Sequence, residues 1–272
     1  MQKKVGINPL SIQKYWKNLQ PPDIQQLQYS KRKFYDQTFP PNKQSLISLD
    51  QYGQFVDRAR GPEQLKDFKE DVPDGPDSLT WKRVTDISPK WELFEGSIEF
   101  NDVQQGSLGD CYFLSSITAL TEYPFLIREK FRTRKFNEEG YYEIIFFIDG
   151  EWQIVFLDDY FPYDPKKNKF AFATPHGHEL WAMLLEKAWA KLNGGYSNII
   201  GGIVSESISA LTGFPTEYLS HKQMEEDELY EKIEEGDKEG TIMSSASKGN
   251  DIVEQRGLVK SHAYTLISAK KW

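Results

Sequence analysis

The sequence predicts an α+β fold: a first lobe built mainly on helices and the start of a second lobe rich in strands. Three observations carry this. Phe113, Leu114, Ile117 and Leu120 recur three or four residues apart, and so do Leu180, Trp181, Leu184, Leu185, Ala188, Trp189 and Leu192, which is the period of buried helix faces. Between them, the β-branched and aromatic runs 141–148 and 152–157 flank Asp149-Gly150, a dipeptide suited to a two-residue hairpin. Beyond Gly213 the character changes to an acidic helical run, 223–235, followed by the strand-like runs 241–246 and 262–269.

Each element has local reasons. Asp110 stands at the N-cap position of the first helix, so Cys111 opens it, and Pro124 follows its end. The second helix, 179–192, is stopped by Asn193-Gly194-Gly195. Residues 1–45 are rich in Gln, Lys and Pro, with scattered aromatics such as Tyr15, Trp16, Phe34 and Tyr35 but no sustained apolar period, and read as a partly ordered leader. The tract 61–77 is punctuated by Pro and Gly too closely for a long helix or strand. The expected division is therefore a leader over 1–77, a first lobe over 78–214 and the start of a second lobe over 215–272.

Composition bounds the function. The 272 residues are 39% hydrophobic and 27% charged, as expected of a soluble globular chain. Lys and Arg number 33 against 41 acids, a net charge of −8 without a basic face, which disfavours a nucleic-acid partner. No run approaches the roughly 20 apolar residues of a membrane span. The first residues lack the apolar core of a signal peptide, and the single cysteine excludes an internal disulfide, so a reducing, cytoplasmic setting is expected.

That cysteine sits where free N–H groups and the positive end of a helix dipole favour the nucleophilic thiolate. Gly106 and Gly109 before it let backbone approach a substrate, and Gln105 offers an amide to a developing oxyanion. By itself a lone Cys between apolar residues is more often a buried hydrophobe. A base must come from His176, His178, His221 or His262. His176 and His178 flank Gly177 in a loop, where solvated or capping roles are the default; His221 lies in a polar connector. His262 opens an apolar alternating run about 150 residues after the thiol, a separation found between papain-type Cys and His residues.

Gln105-Gly106-Ser107-Leu108-Gly109-Asp110-Cys111-Tyr112-Phe113-Leu114 resembles the nucleophile segment of the calpain family of cysteine proteases. Further blocks resemble calpains in the same order: Trp81-Lys82-Arg83, Asp149-Gly150-Glu151-Trp152, Leu157 through Pro162, Glu179 through Gly194, and Lys260 through Tyr264. Phe34-Tyr35-Asp36 with Phe39-Pro40 is similar to the segment preceding the calpain core, so the likeness runs from about Phe34 to Lys270. It implies a papain-like core and a calcium-dependent endopeptidase acting on proteins, with Cys111 as nucleophile, His262 as general base and Gln105 as oxyanion donor. It also implies a calcium site with carboxylates from Asp102 and Glu179 and carbonyls near Glu95 and Ser97, and a regulatory domain or subunit outside these residues.

The chain departs from the family pattern at several points. Calpains place a third catalytic residue, an Asn, in an Asn-Pro-Trp motif after the His, and the 272 residues hold no such motif. Asn250 precedes His262 and is not given the role. A fragment of a longer product and a truncated homologue are both compatible with this, and a catalytically silent calcium- or partner-binding protein is the competing expectation. Tyr112 stands for the usual Trp, Ser261 for the usual Gly, and Phe214 for a Gly. A papain-fold acyltransferase using the same Cys and His is the third possibility.

Overall fold

In the computed structural model, residues 23–49, 61–247 and 257–270 are described; Tyr15, Trp16 and Asn250 lie outside them. The elements run α1 (Ile24–Ser30), α2 (Lys43–Ile47), α3 (Gly61–Asp71), β1 (Thr80–Arg83), α4 (Cys111–Leu120), α5 (Pro124–Arg128), β2 (Tyr141–Ile148), β3 (Glu151–Asp158), β4 (Tyr160–Asp164) and β5 (Lys169–Phe170). They continue with α6 (Trp181–Leu192), α7 (Val204–Thr212), α8 (Glu226–Glu239), β6 (Met243–Ala246) and β7 (Ala263–Leu266). The class is α+β, as the sequence predicts.

Helix α6 is the axis of the core, with every residue but Leu192 buried. Its polar residues survive burial because each has a partner. Lys187 donates to the Asp158 side chain and to the carbonyls of Asp158 and Tyr160, while Lys191 donates to Asp36 and to the Phe156 carbonyl. A buried charge without such partners would cost several kcal/mol. Phe113 of α4 stacks on Trp189 of α6 with centroids 5.2 Å apart and planes 4° from parallel. That contact clamps the nucleophile helix to the axis and is worth about 1 kcal/mol beyond its buried area.

Three small antiparallel sheets surround these helices. The hairpin β2–β3 pairs Tyr141 with Asp158 through Ile148 with Glu151. Its turn takes Asp149 at φ 52° and Gly150 at φ 81°, the positive values a type I′ turn demands. A second sheet has the order β1-β4-β5. The third, β6–β7, pairs Met243 with Leu266 through Ala246 with Ala263 and packs on α4.

The core begins well before residue 78. Phe39, Leu46, Ile47 and Phe68 are at most 3% exposed and belong to the main hydrophobic cluster. The tract 61–71, expected to be broken by Gly and Pro, is an eleven-residue helix. Gly61 and Pro62 fall in its first turn, where backbone N–H groups lack intrahelical acceptors and a missing donor costs nothing. The sequence pattern does not predict the short strands β4 and β5 or the helix α7. Among the described residues, no helix is long and apolar enough to cross a membrane.

Candidate active site

The segment leading to Cys111 is held from two sides. Ser107 donates its N–H to the Ala171 carbonyl at 3.0 Å and its hydroxyl to the same atom at 2.9 Å. The Thr174 N–H donates to the Gln104 carbonyl at 2.9 Å. Gly106 lies so close to strand-following backbone that a Cβ there would stand 1.9 Å from the Phe172 carbonyl oxygen, so no larger residue fits without moving the segment. From α3, Asp71 accepts the Gly109 N–H at 2.7 Å.

Cys111 then opens α4, partly exposed. Its neighbour Tyr112, where the family usually has Trp, is buried with its hydroxyl accepting from the Trp189 indole at 2.8 Å, so the exchange is accommodated. Asp110 occupies the N-cap position but makes no capping hydrogen bond, contrary to expectation; its side chain turns inward and is completely buried.

His262 directly precedes β7. Its N–H donates to the Ser247 hydroxyl at 3.1 Å, its carbonyl accepts the Ser247 N–H at 2.9 Å, and its ring meets the edge of Tyr264 with centroids 4.8 Å apart. Thr265 of β7 donates its hydroxyl to the Ser115 carbonyl of α4 at 2.9 Å, which fixes strand to helix. The consequence is a cleft of about 640 Å³ lined by Cys111, Gln105, Leu114 and Ser115 on one side and by His262, Tyr264 and Thr265 on the other, with Phe100 and Val103 along its wall. A thiol, an imidazole and a carboxamide facing one groove are the groups that acyl transfer requires. One amide hydrogen of Gln105 is already given to the Leu108 carbonyl at 2.7 Å. Ser261 sits at φ 50°, the left-handed region that a glycine enters at no steric cost.

A second cluster lies on the loop side of α6. Asp102, His176 and Glu179 each bring a ligand atom within 4.8 Å of the others. Asp102 accepts the Glu99 N–H at 2.7 Å, and its other oxygen lies 3.4 Å from His176 Nδ1. Glu179 accepts from the Trp181 indole at 3.1 Å and from the Glu95 N–H at 3.4 Å. Burial first, then the hydrogen bond and charge of Asp102, push the Glu179 carboxyl up to about 8. Two carboxyl groups this close need a proton or a cation between them, and hard oxygen donors suit a divalent ion such as calcium. Of the residues expected here, Asp102 and Glu179 come together; Glu95 reaches Glu179 through its N–H rather than the expected carbonyl, and the Ser97 hydroxyl is given to Glu99 at 2.8 Å, a contact that leaves its carbonyl out. His176 is exposed in its loop, as the sequence predicts, and in addition approaches Asp102, a contact between segments distant in sequence. His178 packs edge-on against Trp91, 5.5 Å between centroids, and His221 is exposed.

Residues 34–272 match the family model described as calpain family cysteine protease. The chain is 36% identical over 249 residues to the Arabidopsis thaliana protein named calpain-type cysteine protease DEK1, covering 88% of this chain and 11% of that protein. It is 33% identical to rat calpain-8, over 75% of this chain and 30% of the relative, and 30% identical to the human calpain-1 catalytic subunit, over 88% and 32%. The chain thus spans between about a tenth and a third of the length of these relatives. It belongs to the calpain family of cysteine proteases.

Proposed function

We propose that this chain is the core of a calcium-dependent cysteine endopeptidase. The observation that carries the reading is that Cys111, Gln105 and His262 line one cleft although they come from a loop, a helix start and a strand start. In the reaction, His262 takes the Cys111 proton and the sulfur attacks the peptide carbonyl carbon. Helix geometry leaves the Cys111 N–H without an intrahelical acceptor, so with the second amide hydrogen of Gln105 it binds the oxyanion. His262 returns the proton to the amine as the C–N bond breaks. Water, deprotonated by His262, then hydrolyses the thioester and frees the thiol.

Asp102 and Glu179, with backbone near Glu95 and Ser97, would hold calcium, whose charge would neutralise the paired carboxyls. The cleft lies where the start of α4 meets β7. Protein substrates, a regulatory domain or subunit outside these residues, and a cytoplasmic setting consistent with a single thiol complete the reading.

The test is covalent labelling of the 272-residue chain by a peptidyl epoxide, together with casein hydrolysis. Labelling at Cys111 that is lost in His262→Ala is expected; equal labelling in that variant would remove the assignment. A catalytically silent, calcium- or partner-binding protein is the second reading, favoured by the engagement of Gln105 with the Leu108 carbonyl. An inert thiol with calcium binding that is lost in Asp102→Ala would select it.

A further inference from the structure

Beneath Cys111 lies a pair of buried acids that the peptidase chemistry does not use. Asp110 is 0% exposed and Glu186 of α6 is 2% exposed. No donor from a neighbouring residue reaches either Asp110 carboxyl oxygen by ordinary hydrogen-bond geometry, and the side chain facing them is that of Glu186. One oxygen of Glu186 accepts the Ala173 N–H at 2.9 Å. Two carboxylates are both acceptors and cannot bond to each other. A single added proton turns one into a donor and satisfies the orphaned oxygens.

We propose that Asp110 and Glu186 share a proton at neutral pH, and that this carboxyl pair is a positioning device that fixes the start of α4 and hence the Cys111 thiol. Among the described residues, none offers this pair a counter-charge. From α3, Asp71 adds a further acid, engaged with the Gly109 N–H. From the turn 196–199, Tyr196 brings a buried hydroxyl with no hydrogen-bond partner. From α4 itself, the Tyr112 hydroxyl is committed to Trp189. The lysines of α6, Lys187 and Lys191, are directed to Asp158 and Asp36. Burial, opposed in part by the Glu186 hydrogen bond, pushes the Asp110 carboxyl up to about 7, and burial with the Asp110 charge holds Glu186 well above the ordinary range.

The sign follows. A carboxyl raised in the folded state binds a proton there that the unfolded chain releases near pH 4, so stability falls as pH rises from about 4 to about 7. The inference rests on the peptidase reading only in naming Cys111 as nucleophile. It is tested without peptide hydrolysis, by iodoacetamide alkylation of the sole cysteine and by thermal melting, each from pH 5 to 9, for the wild-type chain and Asp110→Asn. The asparagine amide can donate to the Glu186 carboxylate but cannot ionise. Its melting temperature should fall less than that of the wild type across this range, by roughly 5 °C. Alkylation of the wild type above pH 7 should lag the variant by roughly fivefold, because ionisation sets two buried carboxylates against each other at the residue preceding Cys111 and loosens the start of α4. Parallel melting curves and parallel alkylation profiles would overturn the proposal. A changed melting curve with an unchanged alkylation profile would overturn the positioning role. Should Asp110→Asn not fold, Glu186→Gln, with the same hydrogen-bonding logic reversed, is read by the same two outcomes.

Discussion

Thr265, three residues after His262, donates its hydroxyl to the carbonyl of Ser115, four residues after Cys111, at 2.9 Å. The elements that carry the two candidate catalytic residues are therefore tied by a cross-element hydrogen bond next to the cleft. Thr265→Val keeps the shape and removes the donor. Because Ser115 lies inside α4, its carbonyl retains helical partners, so the expected loss is modest, about 1 kcal/mol. Urea denaturation should show this, and epoxide labelling of Cys111 should slow; undiminished labelling would mean the bond does not align the pair.

The link between Lys191 and Asp36 is of a different kind, since both side chains are at most 3% exposed and the ammonium lies 2.5 Å from the carboxylate. Asp36→Ala removes the carboxylate that faces the buried Lys191 ammonium and should cost about 3 kcal/mol. Combining it with Lys191→Met removes the stranded charge and should recover much of the loss. A midpoint for the double variant no better than for the single one would show that Asp36 acts through other contacts, such as its hydrogen bonds to Thr38.

These contacts mark what the amino-acid order discloses and what it withholds. Helices α4 and α6, the β2–β3 hairpin and the strands β6 and β7 were legible because apolar period and turn chemistry are local signals. The three cleft residues were legible through motif resemblance. The packing of Phe39, Leu46 and Phe68 was not, because these apolar residues form no sustained helical or strand period and their burial depends on distant surfaces. Likewise the inward turn of Asp110 contradicts its local preference for capping: tertiary burial against Glu186 prevails over a cap worth about 1 kcal/mol. His176 joined Asp102 and Glu179 only through loop geometry.

Lys130 supplies a pH prediction. It is 4% exposed, with its ammonium 4.0 Å from the Trp152 ring centroid. Burial holds it down to about 8, the Glu129 charge opposing. The unfolded chain keeps its proton to near 10.4, so between about pH 8 and 10 the unfolded state binds more protons and stability rises with pH. At neutral pH the desolvation penalty competes with a cation–π gain of about 1 kcal/mol. Burial wins, and Lys130→Met should stabilise the chain by about 1 kcal/mol at pH 7. The same substitution should reduce the alkaline rise; melting curves at pH 7 and 9.5 check both signs.

The last prediction concerns the residue beside the base. Ser261 holds φ 50°, a conformation that costs a residue with a Cβ roughly 1–2 kcal/mol and glycine little. The strain sits one bond from His262, whose backbone is pinned on both sides by Ser247. Because that clamp fixes the conformation, substitution relieves strain without moving the imidazole. Ser261→Gly should therefore stabilise the folded chain by about 0.5–1 kcal/mol, the relief being offset in part by the greater freedom of glycine in the unfolded state. Epoxide labelling of Cys111 should be unchanged or faster. A loss of stability would show that the serine side chain makes a compensating interaction, and slowed labelling would show that the strain itself holds His262 toward the cleft.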